Sequence, residues 1–106
     1  MDEAVLTASV DGRRPAVVRL TGELDLAGVP RLHSALAELD GDVELDCSGL
    51  EFIDAAGLGA LLKAHEASMA GGYKLVLVNP SPAVDRLLCL VELGTVFLIR
   101  RDGEAS

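Results

Sequence analysis

Polar and apolar residues alternate in some stretches of the chain and recur every three or four positions in others. Val43, Leu45 and Cys47 alternate with Glu44 and Asp46, the two-residue period of a half-covered strand. The chain then enters Ser48-Gly-Leu-Glu-Phe-Ile-Asp-Ala-Ala-Gly-Leu-Gly59. From Leu58 onward, Leu61, Leu62, His65 and Met69 follow a helical spacing. Upstream, Leu6, Ala8 and Val10 alternate weakly and predict an edge-like strand over Ala4–Val10. Asp11-Gly12 marks a hairpin turn, with Arg13 and Arg14 in its loop. Pro15 opens a second strand, Ala16–Leu20, where its missing N–H falls at the strand end.

Thr21 to Asp25 reads as a loop carrying Glu23 and Asp25. Leu26, Val29, Leu32, Leu36 and Leu39 then repeat as one face of a helix. Asp25 or a neighbour caps it, Pro30 lies in its first turn, and Asp40-Gly41-Asp42 ends it. Gly71-Gly72 stops the helix that leaves the central stretch. Tyr73–Val78 is an almost unbroken apolar run, which predicts a strand covered on both faces. Asn79-Pro80 breaks it. Ser81-Pro82 opens a third helix whose buried stripe is Val84, Leu87, Leu88 and Val91, with Gly94 as its stop. Thr95–Ile99 forms a last short strand and Arg100–Ser106 a frayed polar tail. The order β-β-α-β-α-β-α-β implies an α/β fold with a mixed sheet, because helices between the later strands demand parallel crossovers. No repeat or linker divides the chain, so residues 1–106 form a single domain with an ordered core over about 4–99.

Composition narrows what such a domain can do. Half the residues are hydrophobic but only 3% are aromatic, so the core is built of Leu, Val and Ala. A net charge of −8 opposes binding to nucleic acid and to anionic membranes, both of which reward Lys and Arg. Its plain reading is solubility. Cys47 and Cys89 lie far apart in apolar patterns, which predicts buried thiols in a reducing compartment rather than a disulfide or metal site. The start, Met-Asp-Glu-Ala-Val, lacks the basic and apolar parts of a signal peptide. The greasy region Leu87–Ile99 is too short to cross a bilayer and is broken by Glu92 and Gly94. A cytoplasmic domain is expected.

Chemistry is sparse. Gly57-Leu58-Gly59 lacks the third glycine and the first-strand position of a dinucleotide fingerprint, so a close-packed turn is the better reading. His33 and His65 sit on separate helices without companions at ligand spacing, and are expected at the surface or half-buried. No nucleophile motif is present. Glu23, Asp25 and Asp54 follow neighbouring strands and can meet at one end of the sheet. Capping and turn formation account for Asp25 and Asp54 singly; a charged docking rim accounts for both loops together. Two glycines at a helix start also leave N–H groups free to meet an anion. The expectation is therefore no enzyme, no metal and no cofactor.

Three stretches in one order carry a resemblance that spans nearly the whole chain. They are Gly22-Glu23-Leu24-Asp25, then Val43 to Asp54 followed by Gly57-Leu58-Gly59, then Asn79-Pro80-Ser81-Pro82-Ala83-Val84. Together they resemble the STAS family, the domains of bacterial anti-sigma factor antagonists and of sulfate-transporter tails. The resemblance implies a four- to five-stranded mixed sheet with helices mainly on one face. It also implies a partner, an anti-sigma factor that is often a serine kinase, whose capture frees a sigma factor for transcription. On this reading Glu23, Asp25 and Asp54 charge the contact rim, and Ala55, Ala56, Gly57 and Leu58 form its floor. In the family a Ser or Thr immediately before the glycine takes a regulatory phosphate. That position here is Ala56, which has no oxygen to modify, and Thr21, Ser34 and Ser48 do not occupy it. Three explanations stay open: an antagonist that binds constitutively, an unphosphorylated subunit of a larger assembly such as a lipid-transport or stress-sensing complex, or a serine exchanged for alanine in this chain. A module that senses a nucleotide or other anion at the same helix start is a further alternative.

Overall fold

In the computed structural model, which describes residues 5–12 and 14–102, eight elements follow in the expected order. They are β1 (Thr7–Asp11), β2 (Ala16–Leu24), α1 (Val29–Ala37), β3 (Val43–Ile53), α2 (Ala55–Ala70), β4 (Leu75–Val78), α3 (Pro82–Leu90) and β5 (Leu98–Arg100). β1 is antiparallel to β2, and β2 through β5 are parallel neighbours, so the five strands lie in the sheet in chain order. Three parallel crossovers step in one direction, and the right-handedness usual for such connections puts the helices on one face.

Burial follows the two-residue period. Ala16, Val18 and Leu20, then Val43, Leu45 and Cys47, then Leu75 and Leu77 are buried, beneath Leu32 of α1, Leu58 and Leu61 of α2, and Val84 and Leu88 of α3. Each large side chain removed from water contributes about 1.5–3 kcal/mol, so this inner face supplies the main driving force. The opposite face mixes ion pairs with apolar side chains such as Val76 and Leu98. Arg19 lies 3.8 Å from Asp46, and Arg100 grips Glu44 through two 2.9 Å hydrogen bonds.

Several expectations are corrected. Thr21–Leu24 is strand rather than loop, because β2 continues beside β3 through two register shifts as far as Leu24↔Ile53. Likewise Ser48–Ile53 prolongs β3. α1 begins at Val29, not Leu26; its N-cap is Gly28 without a side-chain cap, and Asp25 instead closes the preceding turn. β4 has a helical layer on one face only, and Val76 is half-buried between Glu44 and Leu98 on the adjacent strands. α3 ends at Leu90, before Gly94, and the last strand starts at Leu98. Arg100–Asp102 is not frayed: Arg101 makes two bonds to Asp85, and Asp102 N–H donates to Asn79. Cys47 is buried, and that burial, with Asp46 adding to it, pushes its thiol up to about 12. Cys89 is exposed, not buried. His65 is only 5% exposed and packs its ring against Phe97 with centroids 5.6 Å apart, whereas His33 is exposed as expected. Ala4, Arg13 and residues 103–106, which belong to the expected first strand, hairpin loop and tail, lie outside the described residues.

Candidate functional site

The long strands β2 and β3 finish side by side, and this brings the sequence-predicted acids together. Gly22 pairs with Leu50, Glu23 with Phe52 and Leu24 with Ile53, while the Asp54 N–H donates to the Leu24 carbonyl at 3.3 Å. Asp25 and Asp54 therefore emerge from neighbouring strand ends, the place where parallel sheets present their loops. Gly22 lets the chain ahead of β1 pass close against β2. Its φ is +96°, and a Cβ there would lie 2.1 Å from the Val5 carbonyl oxygen.

Each aspartate fixes one turn. Asp25 Oδ1 accepts from Gly28 N–H at 2.9 Å, and Asp54 Oδ1 accepts from Gly57 N–H at 2.8 Å as the N-cap of α2. That cap satisfies one of the free donors of the first turn, and the N–H groups of Ala55 and Ala56 have no backbone partner among the described residues. Glu23, Asp25, Asp54 and Ala56 are half-buried, and Ala55 is exposed. These residues form an acidic rim over a helix start of partial positive charge.

The other two predicted floor residues face inward. Leu58 is 6% exposed and belongs to the core. Gly57 is buried, and a Cβ there would come 2.1 Å from the Leu24 carbonyl oxygen. Gly57 is thus required for the helix to seat on the end of β2, and only Ala55 and Ala56 remain for contact. Two large apolar side chains stand beside the rim that the sequence reading did not assign to it. Leu26, counted as part of a buried stripe, is 73% exposed because the helix starts three residues later. Phe52 is 48% exposed, paired with Glu23 across the sheet. The alternation of β3 breaks after Cys47, where Leu50 and Ile53, three residues apart, are both buried, so the strand period alone does not assign Phe52 to the outside.

Among the described residues no group of three or more His, Cys, Asp or Glu could hold a metal ion. No helix among them is long and apolar enough to cross a membrane. The arrangement offers charge, apolar surface and a rigid backbone, which is what a protein contact uses.

Several known proteins resemble this chain. A family model described as "Mlab, STAS domain" matches residues 9–100. An anti-sigma F factor antagonist from Lysinibacillus sphaericus is 31% identical over 87 residues, spanning 77% of this chain and 74% of that protein. An anti-sigma factor antagonist from Mycobacterium paratuberculosis superposes with a TM-score of 0.69 at 25% identity, over 90% of this chain and 85% of that one. The antagonist SpoIIAA in its unphosphorylated form superposes with a TM-score of 0.70 at 20% identity, over 92% and 90%. With the same fold, the same element order and a family match over most of its length, this chain belongs to the STAS domain family.

Proposed function

We propose that the domain is an anti-sigma factor antagonist that acts by docking and not by catalysis, in the cytoplasm. Its partner is an anti-sigma factor of the serine-kinase type, and its binding frees a sigma factor. The relative named as an anti-sigma F factor antagonist supports the class. One observation carries the finer reading: Ala56 occupies the second position of α2, one turn-edge beyond the Asp54 cap, where the family resemblance puts the phosphorylated hydroxyl. A phosphate there would add a charge of about −1.5 to −2 beside Glu23, Asp25 and Asp54. Alanine keeps the surface permanently in the uncharged, binding form.

The test is capture from the native host's lysate with this protein as bait, followed by titration of the recovered anti-sigma factor. The expected complex is indifferent to ATP. Ala56→Glu should weaken it at least about tenfold, because a new charge is buried in the contact. Ala56→Ser should restore a kinase substrate, seen as a phosphate mass on the bait and ATP-dependent release. Binding unchanged by Ala56→Glu would remove this surface from the reading. A second reading is favoured by the family description, which carries the Mlab name: a fixed subunit of a larger assembly. Recovery of assembly subunits in place of an anti-sigma factor would select it.

A further inference from the structure

The pairing of β2 with β3 is interrupted just before the two strands finish. Between Gly22 and Glu23 the partner strand advances from Leu50 to Phe52, so Glu51 is an extra residue that pairs with nothing on β2. Such a bulge re-aims the side chains that follow it. Leu50 is buried, and an unbroken two-residue period would carry Phe52 inward with it. The extra residue brings Ile53 in and turns Phe52 out. Aromatic rings are scarce in this chain, which has two Phe, one Tyr and no Trp. Phe97 lies in the core, and Tyr73 precedes β4 at the other end of the sheet. Phe52 is the ring presented at the rim.

The charge around that ring has one sign. Glu23 is its direct neighbour on β2, Glu51 precedes it and is exposed, and Asp25 and Asp54 follow at the two strand ends. Residues 21–30 and 47–62, the stretches that build this end of the sheet, hold no Lys or Arg. Arg19, earlier on β2, lies against Asp46 at 3.8 Å. Asp25 and Asp54 each accept a backbone N–H within their own turn. The side chains of Glu23 and Glu51 enter no hydrogen bond or ion pair among the described residues. Turn formation therefore accounts for the two aspartates and leaves the two glutamates beside Phe52 uncommitted.

We infer that Phe52 anchors the docking surface, entering an apolar pocket of the anti-sigma factor whose mouth carries Arg or Lys to meet Glu23 and Glu51. The inference rests on the docking reading above. It extends the contact from the start of α2 to the bulged strand end and names the chemistry of the partner's patch. Aromatic side chains that fill a desolvated pocket carry most of the energy of a protein contact, and the charges around them set the encounter rate and exclude wrong partners. The same acids repel the phosphates of nucleic acid and of anionic lipid. A second copy meeting this patch with its own would set acid against acid.

The experiment is calorimetric titration of the full chain with the purified anti-sigma factor of the same genome. It compares wild type, Phe52→Thr, a Glu23→Gln, Glu51→Gln double variant, and Ala56→Glu. Threonine keeps the strand preference of the position and removes the ring. Phe52→Thr should weaken Kd about 30-fold or more. The double variant should weaken it about five- to tenfold at low salt, and the difference should shrink in about 0.5 M salt. Hydroxyl-radical footprinting of the wild-type complex reads the same contact without a substitution, so a strand end loosened by threonine does not decide the matter. Oxidation of Phe52 should fall about fivefold or more on binding while that of Tyr73 stays constant. Phe52→Thr binding within about twofold of wild type, or a ring still oxidised in the complex, while Ala56→Glu loses binding, would overturn the anchor and leave the docking reading standing. A double variant that binds as wild type at low salt would overturn the basic mouth of the pocket. A wild-type chain that gives no heat with the anti-sigma factor overturns anchor and docking reading alike. Sedimentation in which Phe52→Thr abolishes self-association of the wild-type chain would overturn the assignment in favour of a second copy.

Discussion

Leu24 and Gly57 meet at the start of α2 without room for a methyl group, whereas Gly59, two residues on, faces open space. The inner wall of the site is fixed by sterics: backbone against backbone, with Leu24 and Leu58 filling the core beneath. The outer rim is fixed by single polar bonds and leaves its side chains accessible. One helix turn thus joins a part that cannot change to a part that can. The sharpest way to break the comparison is to put the same methyl group on both sides. Gly57→Ala should cost about 1–3 kcal/mol, at the upper end because the clash is with a carbonyl that moves only if the strand end moves. Gly59→Ala should stabilise by about 0.5–1 kcal/mol, the helix-propensity gain alone. Urea denaturation of the two variants checks both signs. Equal effects would mean the two positions are not distinguished by packing.

Capping comes next in size. Asp54→Ala removes the 2.8 Å bond to Gly57 N–H and should cost about 1 kcal/mol. Ser81→Ala removes the corresponding bond to Val84 N–H, which is 3.3 Å long, and should cost less. Ala56→Glu sharpens the comparison from the other side. A carboxylate in the first turn complements the helix dipole, so the free domain should be unchanged or slightly more stable. A fall of more than about 1 kcal/mol in its denaturation free energy would show that Ala56 belongs to the packed wall.

Most of the fold could be read from the sequence, and what could not has local causes. The two-residue period of Val43, Leu45 and Cys47 registers burial directly. The helical stripes do so at Leu32, Val84 and Leu88 but not at Val91, which was expected in the buried stripe and is 43% exposed. Element order and sheet class followed from these. Thr21–Leu24 read as loop because Gly22 and two adjacent polar residues look like turn chemistry; pairing with β3 overrides that local preference. The acids at 23, 25 and 54 were legible as a group because they follow adjacent strands. The inward direction of Gly57 and Leu58 was not, since a glycine needed for close packing and one facing open space are the same letter. Leu26 was miscounted because the helical spacing extends it into a stripe that Gly28 and Pro30 in fact cut short. Cys89 and His65 exchange their expected burial for a similar reason: a stripe fixes which face a residue shares, not how deeply a neighbouring element covers it.

The smallest expected effect separates polar from packed contacts by pH. At the far edge of the sheet Arg100 hydrogen-bonds Glu44 and Arg101 hydrogen-bonds Asp85, and each bond holds its carboxyl below the ordinary value of 4.5 or 3.8. A carboxyl with a depressed folded-state pKa adds stability above its unfolded pKa, and that stability is lost as pH falls through the folded one. These pairs are solvent-exposed, so the contribution is small and screened by salt. Melting curves of wild type and of an Arg100→Gln, Arg101→Gln double variant should therefore differ most at neutral pH. The gap should hold down to about pH 5 and close below it, as both carboxyls take up protons in the folded chain and the arginines lose their partners. The gap between wild type and Gly59→Ala should not move over the same range, because nothing lies within 4 Å of that position's Cβ and the gain is helix propensity alone. A double-variant gap that stayed flat into acid would mean the two clamps add nothing beyond packing, and a gap that widened would reverse the assigned sign.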